Sequence, residues 1–282
     1  MERRGFLLAL AAGLAGAAGV HGAGELAVNA PGRAVLPLSA RAIRDTRPAA
    51  RPYGVPGVPV SDPPRGVVVA LPGAGSTLAL TIDDGVSSGV VAAFAALAAR
   101  TGVRLTFFPN GRYRSWQDNA AVLRPLVDSG QVALGNHTWS HHDVTTLTDD
   151  TLAEEIRRNQ AFLWTAFGVR TPFFRPPYGA HDARTDRIAA DLGHPTIALW
   201  NGTLGDSKVL TGAQILGAAR QWFTAQRIVI GHANHPAVTA VFDDLLAVIS
   251  ERALRTVTLA DVWAAPTTRL RGAVARGGGY LR

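Results

Sequence analysis

Residues 77–100 read TLALTIDDGVSSGVVAAFAALAAR, and this stretch decides the fold class. An apolar, strand-like run ends at Asp83-Asp84-Gly85, and a helix-like segment follows from Ser88 to Arg100. A buried strand, a polar turn and a helix in this order are typical of one unit of a parallel α/β fold.

The same alternation continues along the chain. Apolar runs that predict strands are Thr77–Ile82, Val103–Phe108, Gln131–Leu134, Phe173–Phe174, Thr196–Trp200, Ile228–Ile230 and Arg255–Leu259. Helix-like segments between them are Ser88–Arg100, Asn119–Ser129, Asp149–Phe167, Ala183–Leu192, Thr211–Ala225 and Pro236–Arg252. The number of units, about seven, favours a closed or nearly closed (β/α) barrel over an open doubly wound sheet. No glycine-rich phosphate fingerprint follows the first strand, which argues against a nucleotide-binding sheet.

Composition restricts the classes of protein that the chain can belong to. Its 282 residues are 47% hydrophobic and 17% charged, which is typical of a folded globular protein. The chain has no cysteine, so any metal must be held by nitrogen and oxygen ligands. The net charge of +7 favours contact with polyanions, such as an anionic cell envelope. The basic residues are scattered, without aromatic residues interleaved among them, and we therefore expect no nucleic-acid partner.

The two ends of the chain differ from its centre. Residues 1–23 predict an export signal, because Arg3 and Arg4 precede a short apolar stretch in a pattern that resembles the twin-arginine signal. An ordinary secretory signal or an uncleaved anchor remains the alternative. Residues 24–76 predict a Pro/Gly-rich linker that is partly packed near Val67–Leu71, residues 77–265 the folded domain, and residues 266–282 a basic flexible tail. We expect a monomer that is extracellular or associated with the cell envelope, without a stable membrane span in the mature protein.

Polar residues follow the predicted strands at the points where the strands end. Asp83 and Asp84 follow the first run, His137 the third, Arg175 the fourth and His232 the sixth. In a βα barrel these strand ends lie on one face, where active sites are built. One carboxylate and two imidazoles can hold a divalent cation with positions open for water, and a second carboxylate is then free to accept a proton.

Each motif taken alone also has an ordinary structural explanation. Asp-Asp-Gly is commonly a turn, and Arg-Pro-Pro-Tyr-Gly a stiff one. His137 and His141 have a spacing that suits one side of a helical turn, but His142 follows directly, so the ligand pair is not unique. A single histidine after a strand, such as His232, is often a core or rim residue. It is the ordered set, each member at a strand end, that indicates one site.

That ordered set resembles the polysaccharide deacetylases of the NodB-homology family, carbohydrate esterase family 4, over roughly residues 78–263. The matching stretches are Thr81-Ile82-Asp83-Asp84-Gly85, His137-Thr138-Trp139-Ser140-His141, Arg175-Pro176-Pro177-Tyr178-Gly179 and Ile230-Gly231-His232. The resemblance implies that residues 77–265 form the catalytic domain, and that this domain is a distorted (β/α) barrel of about seven parallel strands.

The resemblance also implies a role for each matching residue. Asp83 would be the base, His232 the general acid, and Arg175 the residue that holds Asp83. The Tyr178 backbone N–H would stabilise an oxyanion. The implied metal ligands are Asp84, His137 and His141. The implied substrate contacts are Pro177, Trp139, Trp200 and Asp206. His235 stays a minor alternative for the acid.

The fourth motif departs from the family pattern of Asp-x-x-Asp-Trp. Here Thr203 stands at the position of the first aspartate and Ser207 at that of the tryptophan, and only Asp206 remains. We therefore expect the group that tunes His232 to be missing, and Trp139 or Trp200 to replace the missing wall of the acetyl pocket.

These expectations lead to one preferred function and two alternatives. The preferred function is metal-dependent removal of N-acetyl groups from a GlcNAc-containing polysaccharide, with peptidoglycan or another envelope glycan favoured over chitin. The alternatives are an O-acetyl esterase of the xylan type and a non-catalytic glycan-binding module. Zinc suits a site of two histidines and one aspartate best, and cobalt, nickel or manganese can also fill it.

Overall fold

The computed structural model describes residues 55–264. Its strands are β1 Gly66–Val68, β2 Thr77–Asp84, β3 Leu105–Pro109, β4 Val132–Leu134, β5 Phe173–Phe174, β6 Thr196–Ala198, β7 Gly202–Thr203, β8 Arg227–His232 and β9 Arg255–Thr256. Its α-helices are α1 Ser88–Thr101, α2 Ser115–Asp118, α3 Ala120–Asp128, α4 Asp149–Phe167, α5 Ala183–Asp191, α6 Gly212–Trp222, α7 Phe242–Glu251 and α8 Leu259–Val262. Turns of 3₁₀-helix cover Val144–Thr146, Pro177–Gly179 and Pro236–Val241.

The strands form two parallel sheets with the orders β4-β3-β2-β8-β7 and β1-β6-β5. Backbone hydrogen bonds join the sheets at both sides. The Asn136 N–H donates to Phe173 O at 2.9 Å, and the Asn201 N–H donates to Ile228 O at 3.1 Å. The segment from β6 to β7 therefore passes from one sheet to the other, and the strands form a distorted barrel. The predicted fold class is confirmed.

Local sequence explains the helices around the barrel. The Ser87 side chain accepts from the Val90 N–H at the start of α1, and Thr148 does the same for Thr151 at the start of α4. Such caps satisfy N–H groups that have no partner inside the helix. The segment Pro236–Arg252, predicted as one helix, is a 3₁₀ turn followed by α7, because apolar spacing alone does not distinguish the two helix types.

Strand β2 lies at the centre of the larger sheet and positions the polar residues. All eight of its residues are buried, as are all five of β3. In the parallel register Asp83 is paired with His232 of β8 on one side and with Phe108 of β3 on the other. Residues far apart in sequence therefore meet at the carboxyl end of β2.

Several predictions concern the ends of the chain. The export signal, the first part of the linker and the tail after residue 264 lie outside the described residues. Within the predicted linker, Gly66–Val68 form β1, which pairs with β6, and Ser61 forms a bridge with Trp263. No helix in the range 55–264 is long and apolar enough to cross a membrane.

Candidate active site

The Asp83-Asp84-Gly85 turn is shaped by packing against α2. Asp84 has a φ of 69° and Gly85 a φ of 92°, both in the left-handed region. A Cβ atom on Gly85 would overlap the Trp116 indole, so the close approach requires glycine. Trp116 Nε1 donates to Asp84 O at 2.9 Å. The turn is therefore a rigid support for the two carboxylates.

Asp84, His137 and His141 form a group that can hold a metal ion, since one ligand atom from each lies within 4.8 Å of the others. Asp84 Oδ1 is 3.3 Å from His137 Nε2 and 3.2 Å from His141 Nε2. His137 Nδ1 lies 2.6 Å from Arg175 O, and a carbonyl can only accept. Nδ1 therefore carries the hydrogen, and the Nε2 lone pair is directed to the shared point.

The protonation of this group also fits a divalent cation. Asp84 Oδ1 is buried and has no hydrogen-bond partner, which is costly unless a cation occupies the site. Burial alone would raise the pKa of Asp84, but the hydrogen bond with His137 and the proximity of the His137, His141 and His232 imidazoles hold that pKa well below its usual range. Burial, together with His137, lowers the pKa of His141. A carboxylate and neutral imidazoles are the forms that bind metal.

Asp83 is held apart from this group by a buried arginine. Arg175 Nη1 donates to Asp83 Oδ1 at 2.7 Å and to Thr81 Oγ1 at 2.8 Å, and Nε donates to Ala198 O at 2.7 Å. The guanidinium is fully buried and lies over the Phe108 ring at 4.1 Å. A buried charge with this many partners is fixed in place, so Asp83 is oriented by groups that are not metal ligands. Asp83 Oδ2 lies 3.6 Å from His137 Nε2, on the side of the metal group.

His232 has a carboxylate partner, contrary to the expectation that its tuning group is missing. Its Nδ1 lies 3.0 Å from Asp206 Oδ1, and its backbone N–H donates to Asp206 Oδ2 at 3.1 Å. Burial would lower the pKa of His232, but the hydrogen bond to Asp206 and the charges of Asp83, Asp206 and Asp84 raise it. Asp206, which was expected as a substrate contact, is only 2% exposed. The loop after β7 folds back onto β8, which the altered motif alone did not predict.

The aromatic candidates for the pocket wall lie in different places. The Trp139 ring packs against α4, with the Arg158 guanidinium 4.1 Å from its centre and the Phe162 ring 6.4 Å away. Trp200 lies beside the site, because Arg175 is 5.5 Å from its ring and Gly179 packs against the ring edge. Of the two tryptophans, Trp200 therefore lies next to Arg175, and Trp139 packs against α4.

The Arg-Pro-Pro-Tyr-Gly stretch forms a short 3₁₀ turn beside His141. Pro177 is buried, and Tyr178 has a φ of 61°. The Tyr178 ring is 70% exposed and lies edge-on to the His141 ring, with the ring centres 4.7 Å apart. Tyr178 is the second residue of the turn, so its N–H has no partner within the turn.

Two further histidines, His142 and His235, were alternatives to the residues described above. His142 is exposed and does not belong to the metal-binding group found among residues 55–264, which consists of Asp84, His137 and His141. His235 is half-buried and begins the 3₁₀ turn at Pro236. The structure therefore brings together His137, His141 and His232.

Buried amides support the metal-binding histidines, and sequence reasoning missed them. Asn136 Oδ1 accepts from the Thr138 N–H at 3.0 Å and from Asn159 Nδ2 at 2.9 Å, and Asn110 Nδ2 donates to His137 O at 2.5 Å. Thr138 has a φ of 64°, which is costly for a β-branched residue. The amides stabilise this conformation. Asn136 directly precedes His137, so its place in the sequence could have indicated a role beside the metal ligand. Asn159 lies on α4, and nothing in its sequence position indicated such a role.

His194 extends the same network away from the metal group. Its Nδ1 donates to Thr171 O at 2.8 Å, and its Nε2 lies 3.2 Å from Asn136 Nδ2. Burial lowers the pKa of His194 to about 4, and the bond to Thr171 offsets this only in part. His194 is therefore a neutral structural histidine.

The known proteins that are similar to this chain include several deacetylases. Residues 71–197 match the profile of the polysaccharide deacetylases. The chain is 28% identical over 186 residues to a peptidoglycan-N-acetylglucosamine deacetylase, PgdA, of Listeria monocytogenes, covering 66% of this chain and 38% of the relative. It is 30% identical over 138 residues to a chitin deacetylase of Pestalotiopsis sp, covering 49% of this chain and 46% of the relative. The chain thus spans less than half the length of these two curated relatives.

A solved structure extends the likeness to the fold. A CE4 family pseudoenzyme from Bacillus anthracis superposes with a TM-score of 0.62 at 19% identity, over 70% of this chain and 68% of that one. The profile match begins before β2 and ends within β6, before His232, which the pairing of β8 with β2 brings to the same site. Over residues 71–197 the chain is therefore similar to the polysaccharide deacetylase family.

Proposed function

We propose that this protein is a metal-dependent hydrolase that removes N-acetyl groups from a GlcNAc-containing polysaccharide. The observation that carries the proposal is the buried Asp84 Oδ1, which has no hydrogen-bond partner and lies 3.2 to 3.3 Å from two imidazole nitrogens. Because a pseudoenzyme shares this fold, the activity must be argued from the residues of the site.

Asp84, His137 and His141 would hold the cation, and zinc is the ion that we favour for these nitrogen and oxygen donors. When bound, such a cation polarises a carbonyl group and acidifies coordinated water. Cobalt, nickel or manganese would serve the same donor set.

Asp83 acts as the general base in this proposal. Its Oδ1 is occupied by Arg175, which leaves Oδ2 to accept the proton of the attacking water. Because Arg175 is fully buried and fixed by backbone carbonyls, the carboxylate cannot easily rotate away. The Tyr178 N–H would donate to the oxyanion that forms when water adds to the amide carbonyl.

His232 acts as the general acid. An amine is a poor leaving group, so the nitrogen must be protonated as the C–N bond breaks. Asp206 supports this role, because it accepts from Nδ1 and raises the pKa of His232, so that more of the imidazole is protonated near neutral pH. The proton is then delivered from Nε2.

The substrate that we favour is peptidoglycan or another envelope glycan. The Listeria relative is named for peptidoglycan, the net charge of +7 suits an anionic envelope, and the export predicted from residues 1–23 would bring the enzyme there. The chitin deacetylase relative makes chitin oligosaccharides the main comparison.

The test measures acetate release from peptidoglycan, chitin oligosaccharides and acetylated xylan by purified protein, before and after metal removal and zinc restoration. We expect release from the N-acetylated glycans, loss on chelation and recovery with zinc. Release from acetylated xylan alone would indicate an O-acetyl esterase. Zinc-loaded, folded protein that releases no acetate from any of the three would refute the hydrolase and favour a glycan-binding module.

A further inference from the structure

The side chain of Asn234 connects the two loops that follow β2 and β8. Its Nδ2 donates to Asp84 Oδ2 at 2.6 Å, and its Oδ1 accepts from the Val86 N–H at 3.2 Å. Asn234 therefore touches the carboxylate of a proposed metal ligand, although it lies outside each of the motif stretches.

These two contacts leave only one orientation for the Asn234 amide. The Asp84 carboxylate can only accept, and the Val86 N–H can only donate. A flipped amide would place its oxygen against the carboxylate and its NH₂ against the N–H, so both contacts would become repulsive.

The backbone holds position 234 at the correct distance from Asp84. The Ala233 N–H donates to Asp83 O at 3.0 Å, and the Ser87 N–H donates to Ala233 O at 3.0 Å. The first residue of the Asp-Asp-Gly turn and a residue just after the turn are thus both bonded to Ala233, which precedes Asn234. The amide is positioned by the fold before any cation binds.

The two carboxylate oxygens of Asp84 therefore have different surroundings. Oδ2 is occupied by Asn234, whereas Oδ1 has no hydrogen-bond partner and faces His137 and His141. A carboxylate without the Asn234 contact could rotate about its terminal bond, for which the preferred angles are broad. We propose that Asn234 is a positioning residue that restricts Asp84 to binding the metal through Oδ1 alone.

This role rests on the metal centre of the proposed function and deepens it. Hydrogen-bond partners of metal ligands orient the ligands, and their loss typically weakens metal binding about 10- to 100-fold. Asn234 is neutral, so it orients Asp84 without cancelling the negative charge that attracts the cation. The effect of removing it should appear mainly in metal affinity.

The experiment compares zinc dissociation constants of the wild-type protein, Asn234→Ala and Asn234→Ser by competition with a chromophoric chelator. Both substitutions remove the amide that contacts Asp84 and Val86 together, and Asn234→Ser retains a small polar side chain in the loop. Asn119→Ala is the matched control, because Asn119 donates to Ser88 O and Ser115 O away from the metal group. Thermal unfolding of each metal-free protein is followed by circular dichroism.

We expect zinc binding to weaken about 10- to 100-fold in both Asn234 variants. It should be unchanged in Asn119→Ala, and the unfolding temperatures of the metal-free proteins should be similar. Acetate release by the Asn234 variants should return towards the wild-type rate at saturating zinc, as expected for a residue that does not touch the substrate.

The other outcomes separate the two proposals. A wild-type protein that binds no zinc overturns the metal centre, and the role of Asn234 with it. Asn234 variants that bind zinc as tightly as the wild type overturn the role of Asn234 alone. If both variants are unfolded without metal, Asn234 supports the fold rather than the orientation of Asp84, and the proposal is again overturned.

Discussion

Replacing Asp206 by asparagine should change how the rate of deacetylation depends on pH. The substitution Asp206→Asn would keep the size of the side chain but remove the charge that His232 contacts at 3.0 Å. The charge raises the pKa of His232, so its removal should lower that pKa. Since His232 must be protonated to act as the acid, the alkaline limb of the profile should move to lower pH.

The size of the effect follows from the kind of hydrogen bond that is lost. A bond between charged partners contributes about 1.5–3 kcal/mol and a neutral one about 0.5–1.5 kcal/mol, so the charged imidazole loses roughly 1.4 kcal/mol of stabilisation. That free energy corresponds to about a tenfold lower protonated fraction at a given alkaline pH. On the alkaline limb kcat/KM should therefore fall about tenfold, and on the plateau it should fall much less.

The assay is acetate release from an N-acetylated oligosaccharide across the pH range, with NMR titration of the His232 ring as a direct measure. Zinc content and unfolding temperature serve as controls, because Asp206 lies outside the metal-binding group. A folded, zinc-loaded variant with an unmoved alkaline limb and an unchanged His232 titration would refute the assignment of Asp206 as the group that tunes the acid.

Three further predictions test other parts of the site. Asp83→Asn should abolish acetate release but keep zinc, whereas His141→Ala should lose both; loss of zinc from Asp83→Asn would contradict the separate roles. Gly85→Ala should destabilise the protein by about 1–3 kcal/mol in chemical denaturation, because its φ is 92° and the added Cβ would overlap Trp116; an unchanged midpoint would contradict this packing. His194, whose pKa is lowered to about 4, should contribute stability that is complete above pH 6.5 and is lost as the pH falls through 4, about 3 kcal/mol in all. The free energy of unfolding should then depend less on pH between 6.5 and 4 in His194→Gln, and an equal dependence would contradict a buried neutral histidine.

The order of strands and helices was predictable because burial leaves a regular pattern. Each of the seven predicted apolar runs overlaps a strand. Strands that are covered on both faces, such as β3, are apolar over most of their length. β1 and β7 were not predicted as strands. They have three and two residues, and their conformation is set by pairing with β6 and β8.

The prediction of the site was less complete where contacts depend on loops. Positions after strands predicted one site, and the resemblance to a known family implied that Asp84, His137 and His141 are its metal ligands. The structure brings these three residues together. The pairing of Asp206 with His232 was not predicted, because it depends on how the loop after β7 folds back. The support from Trp116 and Asn159 left no recognisable pattern in the sequence.

The sequence by itself determined the α/β class, the strand order along the chain and the residue types available for chemistry. It did so because buried strands, helices and turns each require their own composition over short distances. Only the tertiary structure decided which oxygen of Asp84 is free, that Asp206 accepts from His232, and that Asn234 reaches Asp84 across 150 positions. The physical reason is that these contacts depend on the register of β2 with β8, and register is a property of the packed sheet rather than of any local stretch of sequence.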